Sequence, residues 1–428
     1  MAITPQAETA SQTTATPQGQ NYAFPLVCLT SLFFIWGLIT SLNDILIPYL
    51  KGMFELNYTQ AMLIQFCFFG AYFLVSVPAG ALVAKLGFQR GIVVGLLVAC
   101  VGALAFYPVA TTGSYAAFLT ALFVLAAGIT ILQVSANPYV SILGSAETSS
   151  SRLTMTQAFN SLGATVAPIL GGWLILSVAA ESLAPATEQA KVQATAVQTP
   201  YLILAGTLLL MAVIFALLKL PKPTMQTAVS PTDDIDGGSA WQYKHLVLGA
   251  VAIFVYVGAE VGIGSLIINF AAQDDIAGLT EHQAAKYVTY FWGGAMVGRF
   301  IGAVVMQKFA ASKVLSFNGI VAIVLLLVAT FSSGMTALWA ITLVGLCNSI
   351  MFPTIFTLAL NGLGKYTSQG SGILCLAIVG GAILPVVQGV MADSLGIQLS
   401  FLLPLICFVY IVFYGLSGHK LQLANKEL

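Results

Sequence analysis

Residues 91–110 read GIVVGLLVACVGALAFYPVA, a run of twenty residues without a charge. An α-helix needs about 20 apolar residues to cross the ~30 Å hydrocarbon core of a bilayer, so this run predicts a transmembrane helix. The whole chain has the same character, since 58% of its 428 residues are hydrophobic and 7% are charged. Soluble proteins carry about 25% charged residues. The composition therefore excludes an ordinary soluble enzyme and a basic protein that binds nucleic acid.

The same length criterion predicts twelve transmembrane helices, and hence an all-α membrane protein. The predicted spans are residues 24–50, 59–84, 91–110, 116–144, 152–178, 200–219, 246–271, 284–309, 314–333, 336–362, 369–391 and 397–417. A polar stretch rich in proline and aspartate divides them into two sets of six. The predicted organisation is a disordered leader (1–22), an N-terminal six-helix bundle (23–219), a cytoplasmic linker (220–244), a C-terminal six-helix bundle (245–418) and a cytoplasmic tail (419–428).

The distribution of lysine and arginine tests this count, because cytoplasmic loops are enriched in both residues. With twelve spans, most of the cations fall on the side of the two termini. These are Lys85, Arg90, Arg152, Lys219, Lys222, Lys244, Arg299, Lys308, Lys313, Lys365, Lys420 and Lys426, against Lys51, Lys191 and Lys286 on the other side. The asymmetry supports an even number of spans and predicts that both termini are cytoplasmic.

The two halves of the chain repeat the positions of prolines and glycines. Asn137-Pro138 in span 4 is matched by Phe352-Pro353 in span 10. Ala164-x3-Pro168-x3-Gly172 in span 5 is matched by Gly381-x3-Pro385-x3-Gly389 in span 11. Two matches at nearly the same offset indicate a parallel repeat of six helices, the arrangement of transporters whose two bundles rock about a central site.

Two carboxylates lie inside predicted spans, Asp44 in span 1 and Glu260 in span 7. An ionised side chain in mid-membrane costs on the order of 3 kcal/mol or more, so each marks a candidate functional site. Asp44 shares a helix face with Trp36, Thr40 and Asn43, because these residues are three, four or seven positions apart. We expect this face to look into the bundle, and we expect Glu260 to lie near the outer mouth.

Amide side chains add further polar patches inside the spans. Gln133 and Asn137 are four residues apart in span 4, and Gln157 and Asn160 are three apart in span 5. Asn348 precedes Phe352 by one turn in span 10. These amides are candidates for substrate contacts, and the alternative is that they form hydrogen bonds between helices.

The connection between spans 2 and 3 resembles the cytoplasmic loop motif of the major facilitator superfamily. It reads Gly80-Ala81-Leu82-Val83-Ala84-Lys85-Leu86-Gly87-Phe88-Gln89-Arg90-Gly91, with Ala84 where the family usually has an aspartate. Gly298-Arg299-x2-Gly302, followed by Lys308 and Lys313, repeats the pattern more weakly and is assigned to the connection between spans 8 and 9. The resemblance implies a gating role for a set of five residues, Gly80, Lys85, Gly87, Arg90 and Arg299. The alternative is that these cations only anchor the cytoplasmic face.

Within that superfamily, the chain resembles the sugar–cation symporters that include the L-fucose–proton symporter and bacterial glucose/galactose transporters. Six segments carry the resemblance. They are Leu42-Asn43-Asp44-Ile45-Leu46, Ala136-Asn137-Pro138-Tyr139-Val140, Gln157-Ala158-Phe159-Asn160-Ser161-Leu162-Gly163, Val197-Gln198-Thr199-Pro200-Tyr201, Gly298-Arg299-Phe300 and Phe352-Pro353-Thr354-Ile355-Phe356. Span 7, with Gly258-Ala259-Glu260-Val261-Gly262, is similar to the glucose/galactose subgroup.

The resemblance implies a monomeric bacterial inner-membrane transporter that imports a monosaccharide with a coupled cation, without a cofactor and without enzymatic activity. In the fucose symporter an aspartate of span 1 and a glutamate of span 4 are protonatable, which corresponds to Asp44 here, whereas Gln133 replaces the glutamate. The implied substrate is therefore a hexose such as glucose or galactose in preference to fucose. The candidate sugar-binding residues are Trp36, Asn43, Gln133, Gln157, Asn160, Glu260, Asn348 and Phe352.

Asp44 is the candidate coupling residue, with Gln133 and Asn137 beside it. A buried aspartate can bind a proton because removal from water disfavours its charged form. It can also bind sodium together with amide and backbone oxygens, so the sequence leaves proton and sodium coupling open. A drug or metabolite exporter of the same superfamily is the alternative function, which a large apolar cavity would favour.

Overall fold

In the computed structural model of the chain, the described residues are 22–53, 58–112, 114–179, 186–221 and 238–421. Side chains are described within these ranges except for those of 42–53, 58–63, 65, 110–112, 168–179, 186–197 and 281. Over the described residues the regular structure is helical, without a β-strand. The predicted all-α class is confirmed.

The first half of the chain forms six long helices, one for each predicted span. They are α1 (Ala23–Met53), α2 (Tyr58–Leu86), α3 (Phe88–Thr112), α4 (Tyr115–Ile142), α5 (Ser149–Ala179) and α6 (Ala186–Leu217). In five of these helices, and in all six spans of the second half, the described stretch is long and apolar enough to cross a membrane. The 31-residue helix α5 completes the predicted twelve.

The second half also makes six crossings, but its last three are interrupted. Its first three crossings are α7 (Lys244–Ala272), α8 (Glu281–Val305) and α9 (Ala311–Phe331). The tenth consists of α10 (Gly334–Asn348) and α11 (Met351–Leu360), the eleventh of α12 (Thr367–Leu376) and α13 (Gly380–Leu395), and the twelfth of α14 (Ile397–Ser400) and α15 (Leu402–Phe413). Each of these three spans is therefore built from two consecutive helices.

The prolines that repeat between the halves have different effects on the backbone. A proline inside a helix has no N–H and displaces the carbonyl four residues earlier. Pro353 thereby frees the carbonyl of Ser349, and span 10 breaks at residues 349–350. Pro138 frees the carbonyl of Val134, yet α4 continues through it. Each freed carbonyl accepts a hydrogen bond from outside its own helix, from Arg299 at Ser349 and from Ser371 at Val134.

The two halves meet through helix pairs that occupy equivalent positions in the repeat, α2 with α12 and α5 with α8. Gly80 and Gly372 let α2 and α12 approach closely, since a Cβ added at Gly372 would lie 2.6 Å from the carbonyl oxygen of Ser76. Ser151 of α5 donates to the carbonyl of Ala303 in α8 at 2.5 Å. Small residues at such crossings are the usual means of bringing membrane helices together.

These crossings lie toward the face of the bundle that carries the α2–α3, α4–α5 and α11–α12 connections. We call this the terminal face, because Leu421, at the end of the described chain, lies beside Gly362 in the α11–α12 connection. The predicted linker, 220–244, begins and ends with fixed contacts. The carbonyl of Pro221 accepts from Tyr139 of α4 at 2.8 Å, and the amide of Ala240 donates to Gln369 of α12 at 2.9 Å. The rest of the linker, 222–237, lies outside the described residues.

Candidate functional site

A cavity of about 190 Å³ lies between the two halves, near the middle of the bundle. Both halves contribute to its wall. The lining residues are Trp36, Tyr72, Gln133, Gln157 and Asn160 from the first half, and Tyr256, Val257, Glu260, Arg299, Phe352, Pro353 and Ile378 from the second. The cavity therefore has amides on one side, a carboxylate and a guanidinium on the other, and aromatic rings on both.

Gln133 and Gln157 are held in the cavity wall by neighbouring polar groups. The hydroxyl of Tyr72 in α2 donates to Oε1 of Gln133 at 2.9 Å. Nε2 of Gln157 donates to Oδ1 of Asn137 at 3.4 Å. Asn137 is itself fully buried and does not line the cavity. Its place in the fold is thus behind Gln157, although the sequence predicted it as a coupling residue.

Asn160 faces the cavity at the closest approach between α1 and α5. Its Nδ2 donates to the carbonyl of Phe33 in α1 at 2.9 Å, which leaves Oδ1 for the cavity. Gly37 and Gly163 make this approach possible, because a Cβ on either would overlap a backbone carbonyl of the facing helix. Trp36 lies on the same face of α1 and lines the cavity.

Glu260 lies near the middle of α7, so its expected position at the outer mouth was wrong. Its side chain is only 9% exposed. The hydroxyl of Tyr256, one turn earlier on α7, donates to Oε1 of Glu260 at 2.7 Å. The same hydroxyl lies 3.0 Å from the carbonyl oxygen of Asn348, at the break in span 10. The amide side chain of Asn348 is fully buried, lies outside the cavity wall and makes no hydrogen bond.

Arg299 lies within α8 and lines the cavity, and it is therefore not part of a loop as predicted. Its Nε donates to the carbonyl of Ser349 at 3.2 Å, the carbonyl that Pro353 leaves free. Its Nη1 donates to the hydroxyl of Ser161 in α5, across the junction between the halves. A charge at this depth is costly unless it is well paired. Arg299 thus joins the two halves at the cavity wall.

Below the cavity, toward the terminal face, further hydrogen bonds join the halves. Ser371 of α12 donates to the carbonyl of Val134 in α4 at 2.9 Å. The hydroxyls of Ser150 and Thr357 lie 2.6 Å apart. Together with the Gly80–Gly372 contact, these bonds hold the halves against each other on the terminal side of the cavity.

The other predicted gating residues follow the end of α2 and the start of α3. Gly80 is inside α2, and Lys85 is in its last turn. Gly87 connects the helices with a φ of 84°, a left-handed conformation that favours glycine. Arg90 is the third residue of α3. Of the two glycines, Gly80 lies against the opposite half, where an added Cβ would be 2.9 Å from the carbonyl oxygen of Ser368.

Asn43 and Asp44 belong to helix α1, but their side chains lie outside the described residues. Asp44 is eight residues beyond Trp36, which corresponds to about 12 Å along the helix axis at 1.5 Å per residue. The backbone therefore places Asp44 beyond the cavity-lining part of α1, on the side away from the terminal face.

Three polar residues of the cavity wall were missed in their observed roles, Tyr72, Tyr256 and Arg299. Nothing local in the sequence marks Tyr72, because its partner Gln133 lies on a different helix. Arg299 carried a usable signal, since it falls inside the predicted span 284–309 and a charge within a span is a functional candidate. Four aromatic residues line the cavity, Trp36, Tyr72, Tyr256 and Phe352, and the sequence predicted Trp36 and Phe352 as sugar-binding residues.

The chemistry of the wall suits a small ligand with many hydroxyl groups. Each hydroxyl of such a ligand can donate and accept, and amides, a carboxylate and a guanidinium provide both kinds of partner. Drug-sized ligands occupy pockets of about 300–1,000 Å³, whereas this cavity measures about 190 Å³.

The comparisons with known proteins agree with this architecture. Residues 29–378 match the family model described as Major Facilitator Superfamily. The chain is 59% identical over 407 residues to the glucose/galactose transporter of Brucella abortus biovar 1 (strain 9-941), covering 95% of this chain and 97% of the relative. It is 36% identical over 411 residues to the L-fucose-proton symporter of Escherichia coli (strain K12), covering 93% and 94% of the two chains.

Among solved structures, the chain resembles that of the major facilitator transporter FucP in the outward conformation. The two share 35% identity and a TM-score of 0.84, over 93% of this chain and 99% of that one. With the family model matching most of the chain, and a fold of twelve spans in two related halves, this chain belongs to the Major Facilitator Superfamily.

Proposed function

We propose that the protein imports a hexose such as glucose or galactose together with a proton, by alternating access of a central cavity to the two sides of the membrane. The relatives named as glucose/galactose transporters and L-fucose-proton symporters support the substrate class and the coupling ion. The single observation that carries the proposal is the polar, monosaccharide-sized cavity at the junction of the two halves.

The proposed sugar contacts divide between the halves. Gln133, Gln157 and Asn160 offer amide groups from the first half, and Glu260 offers a carboxylate from the second. Trp36 and Phe352 provide ring faces against which the C–H groups of a sugar can stack. Because the contacts come from both halves, a bound sugar draws the halves together, which is what an alternating-access transporter requires.

Asn43 and Asp44 belong to the proposal through the resemblance of Leu42-Asn43-Asp44-Ile45-Leu46 to the sugar–cation symporters. Asp44 is the proposed coupling residue, and Gln133, which cannot titrate, serves as a sugar ligand. Asn137 supports this set through its bond to Gln157. Asn348 has no proposed direct contact with sugar, since it lies behind the cavity wall.

The proposed orientation places both termini in the cytoplasm of a bacterial cell, with the protein as a monomer in the inner membrane. The excess of lysine and arginine on the terminal side supports this orientation. The Gly80–Gly372 contact and the Ser371–Val134 and Ser150–Thr357 bonds then lie on the cytoplasmic side of the cavity, and in the proposed cycle they close the cavity on that side. Opening to the cytoplasm requires the Gly80–Gly372 and Ser371–Val134 contacts to separate.

Uptake of labelled sugars into proteoliposomes tests the function. An inward pH gradient should drive accumulation of glucose or galactose, and an inward sodium gradient at constant pH should not. Competition by excess glucose, galactose, mannose and fucose ranks the substrates. Accumulation that follows sodium alone would refute proton coupling, and expulsion of drugs without sugar uptake would favour the exporter.

Variants test the assigned residues. Asp44→Asn should abolish accumulation driven by a pH gradient, and accumulation at the wild-type level would remove Asp44 from the coupling role. Gln157→Ala and Asn160→Ala should weaken sugar binding, as measured by calorimetry on purified protein. Gln307→Ala is the matched control, because Gln307 is an exposed amide in the α8–α9 connection. Wild-type affinity in both cavity variants would place the sugar elsewhere.

A further inference from the structure

Glu260 is, among the described residues, the one acidic side chain that lines the central cavity. The sugar proposal uses it as a hydrogen-bond partner, but a neutral amide would serve that purpose equally well. A carboxylate in the middle of a membrane span calls for a further reason, because its charge must be compensated there.

The groups around Glu260 are few and specific. On its own helix, Tyr256 donates to Oε1 at 2.7 Å. From α8, the guanidinium of Arg299 lines the same cavity, and no other cationic side chain of the described residues does so. The neighbouring helices α10 to α13 contribute uncharged residues to this region, namely Asn348 of α10, Phe352 of α11, Ile378 between α12 and α13, and Gln388 of α13, whereas α15 meets α7 near Leu248.

The first half faces Glu260 across the cavity without a charge. Its lining residues are Trp36, Tyr72, Gln133, Gln157 and Asn160, of which only Tyr72 can titrate. Gln133 of α4 presents an amide to the cavity, and an amide cannot titrate. The carboxylate of the cavity thus stands in span 7 and in the other half.

Arg299 connects this carboxylate to the junction between the halves. It is bonded at once to Ser161 of α5, in the first half, and to the carbonyl of Ser349, in the second. When Glu260 is ionised, it attracts the same guanidinium. When Glu260 is protonated, that attraction is lost and the guanidinium is left to Ser161 and Ser349. The charge of Glu260 therefore changes the strength of a contact between the halves.

We propose that Glu260 is a second proton-carrying residue of the transport cycle, loaded from the outer side and unloaded to the cytoplasm, with Arg299 conveying its charge state to the α5–α8 junction. The proton moves from water to the carboxylate and back to water, so no other reactant is needed. This inference rests on the proposed sugar–proton symport. A proton can drive the change of conformation only if the two states bind it with different affinity, and the Glu260–Arg299–Ser161 series provides that difference.

The substitution Glu260→Gln tests the inference in proteoliposomes, because the amide keeps the size and hydrogen bonds but cannot titrate. We expect sugar accumulation under a pH gradient to fall to the outside concentration. Because Asp44 still titrates in this variant, the pH profile of sugar exchange between the two sides should lose the titration of Glu260 and keep that of Asp44. Glu147→Gln is the matched control, since Glu147 is an exposed glutamate in the α4–α5 connection.

Tyr256→Phe gives a second, independent readout. It removes the hydroxyl that donates to the ionised carboxylate, so Glu260 should keep its proton to higher pH. We expect the midpoint of the pH profile of sugar exchange to move upward by about one unit, the size of a hydrogen bond to a charged group. An unchanged midpoint would contradict the proposed role.

The outcomes separate this inference from the function on which it rests. A wild-type protein that accumulates no hexose under a pH gradient would overturn the proposed function and the role of Glu260 together. Wild-type accumulation that persists in Glu260→Gln would overturn the role of Glu260 alone. Loss of both binding and exchange in a Glu260→Gln protein with a wild-type melting temperature would make Glu260 a sugar ligand only, and would also overturn it.

Discussion

Replacing Gly372 by alanine should shift the transporter away from the conformation described here. A Cβ at this position would lie 2.6 Å from the carbonyl oxygen of Ser76 and 3.3 Å from Cα of Gly80, both on α2. These are backbone atoms, so the strain can be relieved only by moving α12 and α2 apart. Overpacking of this kind costs about 1–3 kcal/mol, which corresponds to a population change of roughly 5- to 150-fold.

The strain acts on only one of the two states. In a state whose terminal face is open, α2 and α12 are separated and the added methyl group meets no backbone. The change should therefore favour that state while leaving the fold intact. Gly389→Ala is the matched control, because a Cβ at Gly389 would meet no atom within 4 Å. Both variants gain the same helix propensity, about 1 kcal/mol, so their difference isolates the contact.

Double electron–electron resonance measures the shift directly. Spin labels at Lys85 and Lys365 would sit on exposed positions of opposite halves, both at the terminal face. The native cysteines would first be replaced. We expect Gly372→Ala to move the distance distribution between the labels to longer values, and Gly389→Ala to leave it unchanged. A wild-type distribution in Gly372→Ala would show that the α2–α12 contact does not control closure of this face.

Two further variants test the cavity and the terminal face. Tyr72→Phe removes the hydroxyl that donates to Gln133 Oε1, so it should weaken hexose binding about 2- to 12-fold, the range expected for one hydrogen bond. Calorimetry should give a lower hexose affinity for this variant than for the exposed control Tyr290→Phe, and equal affinities would refute the contact. Arg152→Gln removes the guanidinium that donates to the carbonyl of Ser141 at the end of α4, so it should lower the free energy of unfolding by about 1.5–3 kcal/mol without changing hexose affinity. Thermal melts measure the loss, and an unchanged melting temperature would contradict the stabilising role of Arg152.

The twelve spans could be predicted from the sequence because crossing a bilayer imposes a length and a hydropathy that are local properties of the chain. The breaks in the last spans could not. Pro138 and Pro353 stand at matching positions, yet only the second interrupts its span. The outcome depends on tertiary partners of the freed carbonyls, which sequence spacing does not reveal.

The sequence predicted those site residues that are polar but lie inside apolar spans. Gln133, Gln157, Asn160 and Glu260 are polar groups inside apolar spans, and the structure brings all four to one cavity. The misplacement of Arg299 had a physical cause. The prediction took the charge of Arg299 as a sign that this residue faces the cytoplasm. Inside a membrane span, however, a charged side chain has an unfavourable free energy that hydrogen-bonding or charged partners must offset.

The freed carbonyls of Val134 and Ser349 explain how the halves can be joined firmly and still separate. A helix interior normally offers no acceptor, because its carbonyls are bonded within the helix. In each half a proline releases one carbonyl near the cavity. Ser371, from the opposite half, takes the carbonyl of Val134, and Arg299, which also reaches Ser161 across the junction, takes that of Ser349.

When the terminal face opens, water entering the cavity can replace a lost donor at such a carbonyl. An exchange of protein for water partners changes the free energy by only about 0.5–1.5 kcal/mol per hydrogen bond. Hydrogen bonds of this kind therefore stabilise the closed terminal face without preventing it from opening. Pro138 therefore places an exchangeable bond between the halves at a level where alternating access requires them to part, and Pro353 provides the carbonyl that helps to position Arg299 at the same junction.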